Sequence, residues 1–75
     1  MKMKIQDLAK ELKEDRKTRE EKADWDFIKK QTYRVRKALE LLVITGDMYK
    51  ASRIAGITID EMNQLRMKSK IPIVI

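Results

Sequence analysis

Gly46, Gly56 and Pro72 are the only glycines and the only proline in this 75-residue chain, and all three follow Thr45. Residues 1–45 therefore lack both residue types that most readily punctuate a backbone, which predicts long helical stretches there. The composition points the same way: 40% of residues are charged, and Lys, Glu, Leu and Arg are abundant, as in helix-rich domains. A chain this short builds one small core and has no surface to spare for a second.

Cysteine and histidine are both absent. No disulfide framework and no thiolate metal site can form, and the commonest general base and imidazole ligand is missing. No apolar run approaches the roughly 18 residues of a spanning helix, and the charged amino terminus has no signal-peptide core. The expectation is a basic cytoplasmic domain of net charge +6, without membrane partner, cofactor, metal site or catalytic residues. Ser52 has no histidine to activate it and reads as a small packing residue. The carboxylates stand mainly beside Lys and Arg, which suits surface ion pairs better than an acid–base pair.

Apolar residues are unevenly spread, six in 1–22 and twenty-six in 23–75, so the core belongs to the second part. Residues 1–23 read as a charged helical arm. Ile5, Leu8 and Leu12 form a short stripe at helical spacing. Residues 13–22 (KEDRKTREEK) contain no apolar side chain, so this run is expected to bury nothing. Opposite charges recur there four apart, Asp15 with Arg19, Arg16 with Glu20 and Lys17 with Glu21, each pair giving an exposed helix roughly 0.2–0.5 kcal/mol. Two readings stand for the arm: a solvated helix or linker, or a segment that docks on a partner through Ile5, Leu8 and Leu12.

Residues 24–75 read as the folded domain. Asp24 suits the cap of one long helix running to about Ile44, with Asp26 in its positive first turn. Trp25, Ile28, Val35, Leu39 and Leu42 make its inward stripe; Trp25 and Phe27 suit core or dimer contact. Gly46 suits a left-handed helix end and Asp47 the next cap. A short helix over 48–55 stops at Gly56, and Thr58 with Glu61 forms a T-x-x-E capping box opening a further helix over 59–70. Pro72 forces extended backbone at Ile71, and residues 71–75 (IPIVI) read as a short strand-like tail.

The two short helices and their turn match the helix-turn-helix unit. Ala51, Ser52 and Ala55 give the small surface a crossing helix needs, Gly56 tolerates positive φ, Ile57 plugs the corner, and Met62 and Leu65 are spaced for burial. The same packing rules also serve an ordinary helical hairpin. If the unit docks on DNA, helix 59–70 is the recognition helix and its outward positions are Thr58, Ile59, Asp60, Asn63, Gln64 and Met67. Asn63 and Gln64 suit adenine; Thr58 and Met67 complete the base-reading set. Phosphate contacts fall to Arg66, Lys68, Lys70, Lys50 and Arg53, with Lys30, Arg34 and Lys37 on one face of the preceding helix, bordered by Lys29 and Arg36. Asp60 and Glu61, in the first turn, repel phosphate. Charge is evenly distributed, residues 1–23, 24–45 and 46–75 each carrying +2.

Residues 37–74 (KALELLVITGDMYKASRIAGITIDEMNQLRMKSKIPIV) resemble a family of small prokaryotic and archaeal proteins often described as antitoxins of the VapB kind. The resemblance rests on an apolar helix, a Gly, a small-residue helix ending Ala-Gly-Ile, a capped helix and a terminal Ile-Pro. It implies a DNA-binding module that includes Gly56, Thr58, Asn63 and Gln64, and a separate segment that inhibits a toxin. Many relatives begin with a short strand-like segment, whereas this chain reads as beginning with a charged helix.

The sequence thus predicts an all-α domain of three to four helices, with a helix-turn-helix hairpin and a short extended C-terminal tail. The function expected is a DNA-binding, antitoxin-like regulator acting on double-stranded DNA as a homodimer, with a toxin or other protein met through the arm or the tail. The alternative is a helical, dimeric protein-interaction module that does not touch DNA. The tail either adds to a partner's strand or folds back on its own helices.

Overall fold

In the computed structural model, residues 5–72 are described, with side chains for residues 13–72. The described residues are all-α: α1 (Ile5–Lys22), α2 (Trp25–Lys29), α3 (Tyr33–Thr45), α4 (Met48–Ala55) and α5 (Ile59–Lys68). The stripe of Ile5, Leu8 and Leu12 and the strand-like tail beyond Pro72 lie outside the described side chains.

Five helices stand where three or four are expected, because the single helix over 24–44 is two. Its stripe has no apolar member between Ile28 and Val35, where Gln31 and Thr32 fall. α2 closes in a tight turn, with the Lys30 amide donating to Phe27 O (3.2 Å) and the Gln31 amide to Ile28 O (3.2 Å). The Gln31 side chain adds a second donor to Phe27 O (3.1 Å). Thr32, extended at ψ 157°, then opens α3, accepting from the Arg36 amide at 2.8 Å. Trp25 also departs from the expected inward stripe. It is 37% exposed, its indole N–H donating to Glu20 O (2.9 Å), because it opens the short α2 and has no long helix to follow inward. The last helix ends at Lys68 and not at residue 70, for a reason that lies in its carboxyl turn, described below.

α3 is the central element. Ala38, Leu39, Leu42 and Val43 are buried on it, and Ala23, Ile28, Ala51, Ala55, Met62 and Ile71 from the surrounding elements complete the core. Val35, Met48, Ile57 and Leu65 pack at its margin. The small residues Ala51, Ser52 and Ala55 are buried, which lets α4 lie close against its neighbours. The two ends of the domain are tied by the Asp24 amide, which donates to Ser69 O (2.7 Å), joining the α1–α2 corner to the end of α5.

The charged run does bury one side chain. Arg19 is 6% exposed and does not pair with Asp15. Its Nε donates to Val43 O (2.8 Å) and its Nη2 to Ile44 O (3.3 Å) at the carboxyl end of α3. The last carbonyls of a helix lack intrahelical donors and carry partial negative charge, so a cation fits there without an apolar contact. Gly46, at φ +70°, leaves room for the guanidinium: a Cβ at that position would lie 3.0 Å from Arg19 Nη1. The other expected pairs stay on the surface, Arg16 with Glu20 at 2.8 Å and Lys17 with Glu21 at 4.0 Å.

Replacing Arg19 by Met strands two carbonyls at the end of α3 and should lower unfolding free energy by about 1.5–3 kcal/mol. Arg16→Met, which removes a solvent-exposed pair, should cost about 0.5 kcal/mol or less. Urea titrations followed by helix circular dichroism measure both, and equal midpoints for the two variants would contradict this account of how α1 is held.

Candidate nucleic-acid interface

α4 begins at Asp47, whose carboxylate accepts from the Lys50 amide (3.0 Å), and ends at Gly56. Gly56 has φ +70°, a left-handed conformation that glycine enters without a Cβ penalty. Its amide donates to Arg53 O (3.2 Å), and the Ile57 amide to Ser52 O (3.1 Å). Ile57 is half-buried at the margin of the core, so the chain after the turn is held by packing as well as by hydrogen bonds. Thr58 starts α5 with the complete capping box: its hydroxyl accepts from the Glu61 amide (3.1 Å), and Glu61 Oε1 accepts from the Thr58 amide (3.3 Å) and hydroxyl (3.0 Å). The Glu61 carboxylate is thereby engaged in the cap, while Asp60 beside it stays exposed.

The far end of α5 is fastened differently. Ser69 is fully buried, and its hydroxyl and amide both donate to Leu65 O, at 2.7 and 2.9 Å. Lys70 takes φ +56°, uncommon for a residue with a side chain, which ends the helix and turns Ile71 back into the core. Arg66 secures that turn: Nη1 donates to Ile71 O (2.9 Å) and Nε to Asn63 Oδ1 (2.9 Å).

The residues singled out in the sequence meet quite different surroundings. Gln64 and Met67 are exposed on α5, whereas Thr58 serves the cap and Asn63 is half-buried with its carbonyl engaged by Arg66. Lys30, Lys50, Lys68 and Lys70 are exposed and form no ion pair with another described residue. Lys37 lies 3.3 Å from Glu40, and Arg53 sits over the Tyr49 ring at 5.6 Å. Arg34 reaches across from α3, its Nε donating to Ile54 O (2.7 Å) beside Gly56. Arg34 thereby ties α3 to the α4–α5 corner, whereas Lys30, expected on one helix face with Arg34 and Lys37, stands at the carboxyl cap of α2 and not on α3. Asn63 and Gln64, adjacent in sequence, end in unlike environments.

Two aromatic residues escaped the sequence reading. Tyr33 is 70% exposed with Arg36 and Lys37 at 5.7 and 5.5 Å from its ring centre, and Tyr49 is 58% exposed beside Arg53. The signal was present: Tyr33 with Arg36 and Lys37, and Tyr49 with Arg53, stand three or four apart on helices, the spacing at which side chains meet. Such pairs place flat π faces within a positive surface.

No protein-family model, curated protein or solved structure matches this sequence.

Two substitutions separate cap and turn from surface charge. Thr58→Ala should destabilise the fold by about 1 kcal/mol through loss of the cap. Lys70→Gly, which relieves the left-handed backbone, should stabilise it by about 0.5–1 kcal/mol despite the greater freedom of glycine in the unfolded chain. Thermal melts report both, and a lowered midpoint for Lys70→Gly would refute the strain assigned to that residue.

Proposed function

We propose that this chain is a DNA-binding helix-turn-helix regulator of the antitoxin-like kind, in which α4 and α5 form the docking unit and α5 enters the major groove. The observation that carries this reading is the outward face of α5. The helix is pinned by the capping box at one end, by Ser69 and Arg66 at the other, and by fully buried Met62 between them. Opposite that anchorage, Gln64 and Met67 stand in solvent, Met67 at 54%. A rigid helix presenting one amide and one flexible apolar side chain suits adenine edges and thymine methyl groups. Lys50, Lys68, Lys70 and Lys30 supply exposed positive charge for phosphates, set against the exposed carboxylates of Asp60 and Glu61. Asn63 contributes through its amide N–H groups, since its carbonyl already accepts from Arg66. Binding as a homodimer would place two copies of α5 on half-sites about 34 Å apart.

The second reading is a helical, dimeric interaction module. It is favoured by an open groove of about 450 Å³ lined by Trp25, Val43 and Ile44 and rimmed by Arg16, Glu20 and Glu40. Trp25 and Ile44, 37% and 46% exposed, give this groove apolar surface that a protein partner's side chains can cover. No helix among the described residues is long and apolar enough to cross a membrane, and no membrane partner is proposed.

Fluorescence anisotropy with duplex taken from the upstream region of the chain's own gene, at several salt concentrations, tests the first reading against the second. The expected result is binding that weakens by roughly 0.9 log units per log unit of salt for each phosphate neutralised. Gln64→Ala should bind with the same salt slope but lose about 1–3 kcal/mol of preference over scrambled duplex. Absence of binding at low salt, or no greater retention on heparin than a charge-matched control, would reject the DNA reading in favour of the interaction module.

A further inference from the structure

Arg19, Arg34 and Arg66 each donate to a backbone carbonyl, but they differ in what remains of the guanidinium. Arg19 is buried, with Nε and Nη2 both engaged. Arg66 uses Nε and Nη1. Arg34 uses Nε alone, on Ile54 O, and is exposed, so both terminal nitrogens carry hydrogens with no acceptor among the described residues. A Cβ on Gly56 would lie 3.2 Å from Arg34 Cζ and Nη2 and 3.3 Å from Nη1, near-equal distances that set the guanidinium flat over the glycine. The side chain is thus tethered at Nε, and its guanidinium lies across the space that a side chain at residue 56 would fill, with its fork unengaged.

Resting on the DNA reading above, we infer that Arg34 is a preset fork for one phosphate group of the duplex backbone, which makes α3 the anchor that sets the register of α5. Arg presents parallel N–H groups matched to two phosphate oxygens, and most of the entropy of holding that geometry is already spent by the tether to Ile54. Lys37, three residues along α3, adds positive charge, lessened by Glu40 at 3.3 Å, and Lys30 stands exposed at the carboxyl cap of α2. Because the anchoring carbonyl belongs to α4 and the guanidinium lies beside the α4–α5 turn, a phosphate held by Arg34 is held at a set position relative to α5. Backbone contacts of this kind position a reading helix without reading sequence.

The test uses the full chain with a 16-base-pair duplex and, separately, inorganic phosphate. Arg34→Lys keeps the charge but loses the fork and its tether: affinity for duplex should fall on the order of tenfold with the salt slope unchanged. Arg34→Gln should also lower the slope by about 0.9. In nitrogen-15 NMR spectra, the Arg34 Nε–H signal should shift on duplex addition while that of Arg19, closed within the fold, stays in place. Thermal midpoints keep folding separate, because a purely structural Arg34 would lower them without changing the affinity of the folded fraction. Wild-type affinity in Arg34→Lys, or an unmoved Arg34 signal in a chain that binds duplex, would overturn the inference. If duplex does not bind at all, the DNA reading fails, and the phosphate titration decides separately. A saturable shift of Arg34 alone retains the fork as a site for free phosphate, and no shift refutes it.

Discussion

The fold depends on a cation placed at the end of a helix. Arg19 covers the last carbonyls of α3, and because α3 carries four of the ten core side chains, whatever fixes its carboxyl end fixes the frame on which α4 and α5 are hung. The ten residues before Ala23 offer no apolar side chain, so hydrophobic burial cannot dock that stretch. A guanidinium can, because it brings several directed donors and remains charged under all ordinary conditions. Gly46 is required twice over, for its left-handed backbone and for the space the guanidinium occupies.

Arg34 repeats this arrangement at the end of α4, over Gly56, but in the open. One chemical device therefore serves two ends: closed, it joins α1 to the core; open, it leaves donors facing solvent beside the α4–α5 corner. This changes how the net charge of +6 is read. Arg19 and Arg66 are occupied inside the fold, Arg16 and Lys17 face carboxylates on their own helix, and Arg36 and Lys37 share Glu40. Among the described residues, the exposed cations without an ion pair are Lys13, Lys22, Lys29, Lys30, Arg34, Lys50, Arg53, Lys68 and Lys70, a smaller set than the described Lys and Arg together. Exposed Tyr33 and Tyr49 lie among the basic residues of α3 and α4, giving that surface flat apolar faces as well as charge.

Local features were legible because they depend on neighbours in the chain. The helical class, the Asp24 and Asp47 caps, the left-handed Gly46 and Gly56 and the Thr58–Glu61 box each follow from residues within four positions of one another. The burial of Leu39, Leu42 and Met62 followed from periodicity for the same reason, and that of Ala51 from the small surface a crossing helix needs. The break at Gln31 and Thr32 was harder to see. Thr32 makes no side-chain cap bond, and the break is marked by a missing apolar residue, not by a turn-forming one. Of the proposed site, Gln64 and Met67 were legible as outward positions of a helix, but the engagement of Asn63 by Arg66 was not. Ile71, which Arg66 also holds, is turned back by a left-handed lysine that no propensity would place there.

By itself, then, the sequence determined the helical class, the position of most caps and turns and, among the described residues, the location of the core after residue 22, since these arise from short-range sterics, hydrogen bonding and apolar spacing. Only the tertiary structure decided which arginines are spent and which remain. Arg19 and Arg34 are alike as residues, and their separate fates depend on carbonyls 24 and 20 residues away. A long side chain can reach several partners, and its choice is set by which helix ends the packing brings within hydrogen-bond distance.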